Sequence, residues 1–346
     1  LRILHLAAGN RWTGAAAPAF AEVEALRAAG VDAHYAYVGG YKLEAKIGHL
    51  DFAHALIEKS QNPAAFSRTV RALTALGHFD FVHAHLTYDH WLARFVARRT
   101  GARLARTFHS RRVLRNDPFT RSLIRSTRAL FVINDTFTIR GRDAAFTPPP
   151  IDHRQFTADG GDARSLYGID RDTPLVTVIG KLSRNRGFET ALRAFASIRA
   201  AIPRAKMMII GHGEHRPALE SLARELAIAN DVVWAGYHED DLADHYRASD
   251  ILLFTARGSD EGHRAILEAM ACGVPPVAAP IDGVHALLRG FENDCIARDD
   301  TPEGIAQRSV TLLSKAREIR SAVAKHSIQF GYTAAAARLL ASYRLA

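Results

Sequence analysis

The residues with most capacity for chemistry lie in two short stretches of the second half of the chain. In Gly180-Lys-Leu-Ser-Arg-Asn-Arg-Gly-Phe188, cationic side chains follow an apolar run and precede a helical pattern. Taken alone this is either a solvated basic loop or an anion site. In the second case Lys181 and Arg186 close on a diphosphate, and the helix N-terminus beyond adds amides and partial positive charge. The second stretch runs from Thr255 to Pro275. Gly258 and Gly262 allow close backbone approach to a ligand, and Asp260 and Glu261 can accept hydrogen bonds from hydroxyl groups. Glu268 follows within a helical pattern that Gly273 and Pro275 end. It lies among Ile266, Leu267, Ala269 and Met270, where an unpaired charge is costly.

Histidine and arginine supply the rest. The chain has 17 histidines, so most are structural or exposed. His83 and His85 have a metal-ligand spacing, but no paired acids or cysteines lie near them in sequence, and no metal is expected. Between Thr100 and Ala145, arginines at 103, 106, 111, 112, 115, 121, 125, 128, 140 and 142 face acids only at 117, 135 and 143. This stretch carries much of the net charge of +9, which suits nucleic acid, an anionic membrane or small anions. No zinc-finger spacing or aromatic-interleaved RNA signature accompanies it, so nucleic acid is not expected as a partner. Two cysteines, Cys272 and Cys295, are no disulfide framework and suggest a reducing compartment.

These residues must be held by elements, and the pattern is legible. Short apolar runs at 3–6, 32–38, 81–84, 104–108 and 129–133 read as strands, with a helix over 18–29 between the first two. A second series, at 175–179, 206–210, 232–235, 250–254 and 274–278, alternates with helical patterns at 189–202, 217–229, 242–248 and 264–272. The run Thr147-Pro-Pro-Pro150 cannot continue a helix or a central strand. The expected organisation is α/β, with a doubly wound domain over 1–146, a linker over 147–156 and a second doubly wound domain over 157–330. A helix over 331–346 is expected to pack back on the first domain. In such folds ligands sit beyond the carboxyl ends of the strands.

With those motifs in place, the chain resembles the retaining glycosyltransferases of family 4, which have the GT-B architecture of two facing Rossmann-like domains. The likeness is densest from Thr173 to Leu288. There a basic pair, a Gly-x-Gly loop at Gly211 and Gly213, a Val-x-x-x-Gly strand end and an acid-x7-Glu motif followed by Ala-Met-Ala-x-Gly-x-Pro occur in order. The resemblance implies sugar transfer from a nucleotide-diphosphate donor, a UDP- or GDP-sugar, with no cofactor and no metal. Lys181 and Arg186 would hold the diphosphate, Glu268 the ribose, and amides from Gly262 through His263 and Arg264 to Ala265 the sugar and phosphates. Spacing assigns the sugar contact to Asp260, residue type to Glu261. His109, in Thr107-Phe-His109, would lie at the reaction centre, and Gly14 near phosphate and acceptor. The acceptor expected is a glycan or lipid-linked sugar of cell-surface synthesis. The expected location is the cytoplasm, with peripheral contact at an anionic inner membrane face. Departures from the family pattern (lysine and arginine exchanged at 181 and 186, Asp260 for glutamate, Ala15 for glycine, Pro149-Pro150 for Asn-Gly) suggest an alternative, a degenerate GT-B protein that binds without turnover.

Overall fold

A computed structural model of the chain describes residues 1–9, 15–110, 115–256 and 263–345. It divides into two units, Leu1–Pro150 with Phe330–Ala346, and Ile151–Gln329. The chain therefore leaves the first unit at the end of the triple-proline run. Among the described residues no helix is long and apolar enough to cross a membrane.

The first unit opens with β1 (Arg2–Ala7), α1 (Ala16–Ala28), β2 (Asp32–Tyr37), α2 (Lys42–Ile47) and β3 (Ala53–His54). It continues with α3 (Pro63–Ala75), β4 (Phe81–Ala84), α4 (Thr87–Thr100), β5 (Arg103–Phe108), α5 (Pro118–Ser126), β6 (Thr127–Val132) and β7 (Ala145–Phe146). The strands form one parallel sheet in the order β3-β2-β1-β4-β5-β6-β7. Its direction of winding reverses between β1 and β4. Two helices begin at a polar cap followed by proline, which has no amide to leave unsatisfied. Asn62 accepts from the Ala64 amide at 2.9 Å before α3, and Asp117 from the Thr120 amide at 2.8 Å before α5.

The second unit contains β8 (Leu175–Ile179), α6 (Phe188–Ala201), β9 (Lys206–Ile210), α7 (Arg216–Glu225) and β10 (Val232–Gly236). There follow α8 (Leu242–Ala248), β11 (Ile251–Phe254), α9 (His263–Ala271), β12 (Pro276–Ala278), α10 (Val284–Leu287), α11 (Glu292–Cys295) and α12 (Pro302–Ser327). Its parallel sheet has the order β10-β9-β8-β11-β12, with the reversal between β8 and β11. Thr301 caps the 26-residue α12 through the Gly304 amide at 3.1 Å, again before a proline. One core of aliphatic and aromatic side chains joins this sheet to α6, α9 and α12. Cys272 and Cys295 are buried as free thiols, and burial pushes both up to about 12.

After α12 the chain returns to the first unit as α13 (Tyr332–Leu345), which lies along α1. This explains the composition of α1: Phe20, Val23 and Leu26 cover the sheet, while Ala25 packs with Ala335 and Ala336 of α13. A helix covered on two faces is apolar nearly all round. Leu339 and Tyr343 of α13 enter the sheet core at 0% and 1% exposure. Leu339→Ala is expected to destabilise the protein by about 2–5 kcal/mol, the usual effect of emptying a buried leucine site. Urea unfolding followed by tryptophan fluorescence checks this; a change below about 0.5 kcal/mol, typical of a surface site, would show that α13 does not belong to the core.

Candidate functional site

In the second unit, the loop after β8 continues the β8–β9 ladder beyond the strands. The Gly180 amide donates to the Ile210 carbonyl at 3.0 Å and the Leu182 amide to the His212 carbonyl at 3.0 Å; the His215 amide donates to the Leu182 carbonyl at 3.0 Å. A Cβ on Gly211 would lie 1.9 Å from the Gly180 carbonyl oxygen, so the two loops touch through backbone alone. On the other side, Gly187 meets the end of β11. Its carbonyl accepts from the Thr255 hydroxyl at 2.8 Å, and a Cβ there would lie 2.1 Å from the Thr255 carbonyl oxygen. Gly187 has φ +76°, a left-handed conformation glycine adopts without strain. Among the described residues no side chain caps α6, which leaves its first-turn amides with capacity for an anion. Lys181 is exposed, its ammonium 3.8 Å from the Glu214 carboxylate, and Arg186 is half-buried. This cluster stands at the carboxyl ends of β8 and β11, where the sheet reverses direction.

The second stretch enters the described structure at His263, the first residue of α9. His263 is buried, and Arg264 and Ala265 are half-buried. Glu268 is 6% exposed, with one carboxylate oxygen 2.7 Å from the Arg264 guanidinium and the other accepting from the Tyr246 hydroxyl at 3.0 Å. Burial pushes its carboxyl upward, while Arg264 and Tyr246 pull it back toward the charged form. Each oxygen retains lone-pair capacity for a further donor.

In the first unit, polar side chains gather at the carboxyl ends of β1, β4 and β5, around that sheet's reversal. His5 and His83 are register partners on β1 and β4. His5 Nδ1 lies 2.9 Å from His85 Nε2, and His85 Nδ1 lies 2.9 Å from His109 Nε2. His83 bonds to the Tyr343 hydroxyl at 2.5 Å and to the Thr107 hydroxyl at 2.8 Å. Glu22, from α1, places Oε2 3.9 Å from His5 Nδ1 and 3.9 Å from His85 Nε2. All these side chains are buried. Burial pushes His5 and His109 down to about 3 and His83 and His85 well below the usual range, and raises Glu22 to about 8. The group holds neutral forms because a charge there loses its hydration. Asp89 ties the loops around it together by accepting from the Ala8 and Leu86 amides at 2.9 and 2.8 Å, and Arg106 donates to the Leu86 carbonyl.

Comparison with known proteins places this geometry. Residues 173–315 match the family model described as glycosyl transferases group 1. Over that stretch of its second unit the chain is similar to the group 1 glycosyl transferases. A D-inositol 3-phosphate glycosyltransferase of Segniliparus rotundus is 29% identical over 208 residues, 58% of this chain and 46% of that protein. The chain thus spans about half the length of the first curated relatives it matches. Among solved structures, a glycosyltransferase from Rickettsia africae superposes with a TM-score of 0.82 at 16% identity, over 99% of this chain and 97% of that one. Anabaena Alr3699/HepE, in complex with UDP and glucose, gives 0.70 at 16% identity, over 95% and 97%. These likenesses show the α/β fold of GT-B glycosyltransferases.

The structure brings Lys181, Arg186, Gly211 and Gly213 into one loop cluster and pairs Arg264 with Glu268 on one helix. His109 sits in the other unit, beside His85. Gly14, Asp260, Glu261 and Gly262 lie outside the described residues. The sequence reading did not single out His5, Glu22, Asp89 or Tyr343, and it placed Arg106 in the basic stretch, whereas the structure buries it. The available signal was a polar residue within an apolar element: His5 in the strand Leu4-His5-Leu6 and Glu22 in an alanine-rich helix. His5, Glu22, His83 and His85 hold ligand-type atoms within 4.8 Å of one another, a donor set of metal-binding type, yet both ring nitrogens of His83 and His85 already meet side-chain partners.

The charge-excluding environment gives a pH test. Glu22 is raised from 4.5 to about 8, so between these values the folded state holds a proton that the unfolded state has lost. Its contribution to stability is full below pH 4.5 and falls as pH rises toward 8. Glu22→Gln removes this dependence, and the unfolding free energy of the variant is expected to gain on that of the original protein between pH 5 and pH 8. Chemical denaturation at several pH values checks this; parallel curves would show that Glu22 ionises normally in the fold.

Proposed function

We propose that this chain is a group 1 transferase, which moves a glycosyl residue from a nucleoside-diphosphate sugar to a hydroxyl group of an anionic acceptor. The observation that carries this reading is the glycine-locked loop at the reversal of the second sheet, which presents Lys181, Arg186 and the uncapped N-terminus of α6 together. Basic side chains and helix amides offset the charge on a departing diphosphate without requiring a metal. UDP in the Anabaena structure supports a UDP-sugar as the first donor to try. Arg115, Arg121, Arg125 and Arg128 of the first unit are exposed, and the phosphate in the name of the Segniliparus relative's substrate agrees with an anionic acceptor. A phosphorylated or lipid-linked glycan at an anionic membrane face fits the same surface.

The family's stereochemistry implies retention. In the front-face form of this reaction the acceptor hydroxyl attacks from the side the diphosphate leaves, and a donor phosphate oxygen takes its proton. Glu268 is read as the ribose contact, through lone pairs not used by Arg264 and Tyr246.

Release of nucleoside diphosphate from a panel of UDP-, GDP- and ADP-sugars, with thermal shift on the same panel, tests the proposal. A ligand that binds only the folded state raises its apparent stability. A donor that raises the melting temperature but is never turned over, across phosphorylated and lipid-linked acceptors, would favour the degenerate reading. Lys181→Ala and Arg186→Ala are each expected to weaken nucleoside-diphosphate affinity about tenfold or more, since a charged hydrogen bond contributes about 1.5–3 kcal/mol. Isothermal titration checks this, and unchanged affinity in both variants would remove the diphosphate from this loop.

The acidic pair separates by kinetics. Family spacing gives the sugar contact to Asp260, so Asp260→Ala should lower kcat/KM for the donor at least about tenfold, while Glu261→Ala changes it by less than about 0.5 kcal/mol. The reverse ranking transfers the contact to Glu261.

A further inference from the structure

Three imidazoles of the first unit form an unbroken line, His5 Nδ1 to His85 Nε2 and His85 Nδ1 to His109 Nε2, each step 2.9 Å. Their exposures are 0%, 1% and 5%. A neutral imidazole carries one ring proton, so it donates at one nitrogen and accepts at the other. Each step needs one donor and one acceptor. Only two arrangements satisfy both steps: all three protons on Nδ1, or all three on Nε2. Any mixed assignment sets two N–H groups or two lone pairs against each other in a buried site, where an unmade hydrogen bond is costly.

The surroundings keep the line intact. A charged ring would escape the two-state rule, but burial holds all three neutral. Glu22 Oε2 is 3.9 Å from both atoms of the His5–His85 step, so its distances favour neither arrangement. His83 lies against the rings of His5 and His85 but makes its hydrogen bonds to Thr107 and Tyr343, outside the line. Among the described residues the two outer atoms, His5 Nε2 and His109 Nδ1, have no hydrogen-bond partner.

We propose that His5, His85 and His109 act as one tautomeric unit, in which His5 and His85 are positioning residues that decide whether His109 Nδ1 offers a ligand a proton or a lone pair. The mechanical part stands on the geometry alone. Its consequence for catalysis rests on the reading of His109 as a reaction-centre group. A residue two rings from the reaction would then affect turnover without touching substrate.

The test uses the full chain labelled with 15N-histidine and long-range proton–nitrogen correlation, which separates protonated from bare ring nitrogens. The expected spectrum has His5, His85 and His109 in the same tautomer. His5→Phe should shift the tautomer population of His109, whereas His90→Phe, on α4 with its ring bonded to the Thr127 hydroxyl at 2.8 Å and outside the line, should leave it unchanged. Opposite tautomers within the line of the original protein would overturn the proposal, as would an unchanged His109 in a folded His5→Phe chain. Should His5→Phe fail to fold, the spectrum of the original protein still decides. Where a donor is turned over, His5→Phe should lower kcat with donor KM kept. A shifted tautomer with unaltered kcat would overturn the positioning role and the reading of His109, while leaving the diphosphate loop untouched.

Discussion

Backbone contact between loops at the end of the second sheet is the constraint on which the candidate site depends. The loop after β8 meets the loop after β9 through Gly211 and the end of β11 through Gly187, at distances that admit no Cβ. The contacts fix Lys181 and Arg186 relative to the sheet, although both side chains lie on a loop. Among the described residues they also leave the first amides of α6 without a side-chain cap. A loop held in this way can bind an anion with little loss of conformational freedom, because its order is already supplied by the fold.

The first unit solves a different problem. Its sheet also reverses beside a set of polar groups, but these are withdrawn from water, and burial excludes charge from the histidines and from Glu22. What remains adjustable is the position of protons on neutral rings. The two units thus offer complementary chemistry, fixed positive charge in one and neutral hydrogen-bonding groups in the other. Tyr343 links the second kind of site to the chain's last helix, since its hydroxyl completes the partners of His83.

Much of the fold was legible because its signals are local. Strand runs such as 175–179 and 206–210 coincide with β8 and β9, since a parallel strand covered on both faces reads as a continuous apolar run. Proline after a polar cap marks the starts of α3, α5 and α12, yet none of these was assigned. The apolar face of α12 is interrupted by alanine, serine and arginine, and α5 spans only nine residues with Leu123 and Ile124 as its buried positions, so neither gave a sustained apolar period. The two-residue edge strands β3 and β7 were equally silent, because pairing with a neighbour defines them and propensity does not.

By itself the sequence determined the alternation of the main strands with helices in two series, and a basic loop of residue types suited to an anion. Tertiary structure decided which residues meet. His5, His85 and His109 are separated by 80 and 24 positions and join only because β1, β4 and β5 are neighbours in the sheet. Glu22 stands out in sequence as a polar residue in an apolar helix, but only the packing of α1 between the sheet and α13 shows its carboxyl withdrawn from water. Its raised pKa follows from that burial and from no local feature, because desolvation is a property of everything packed around a group.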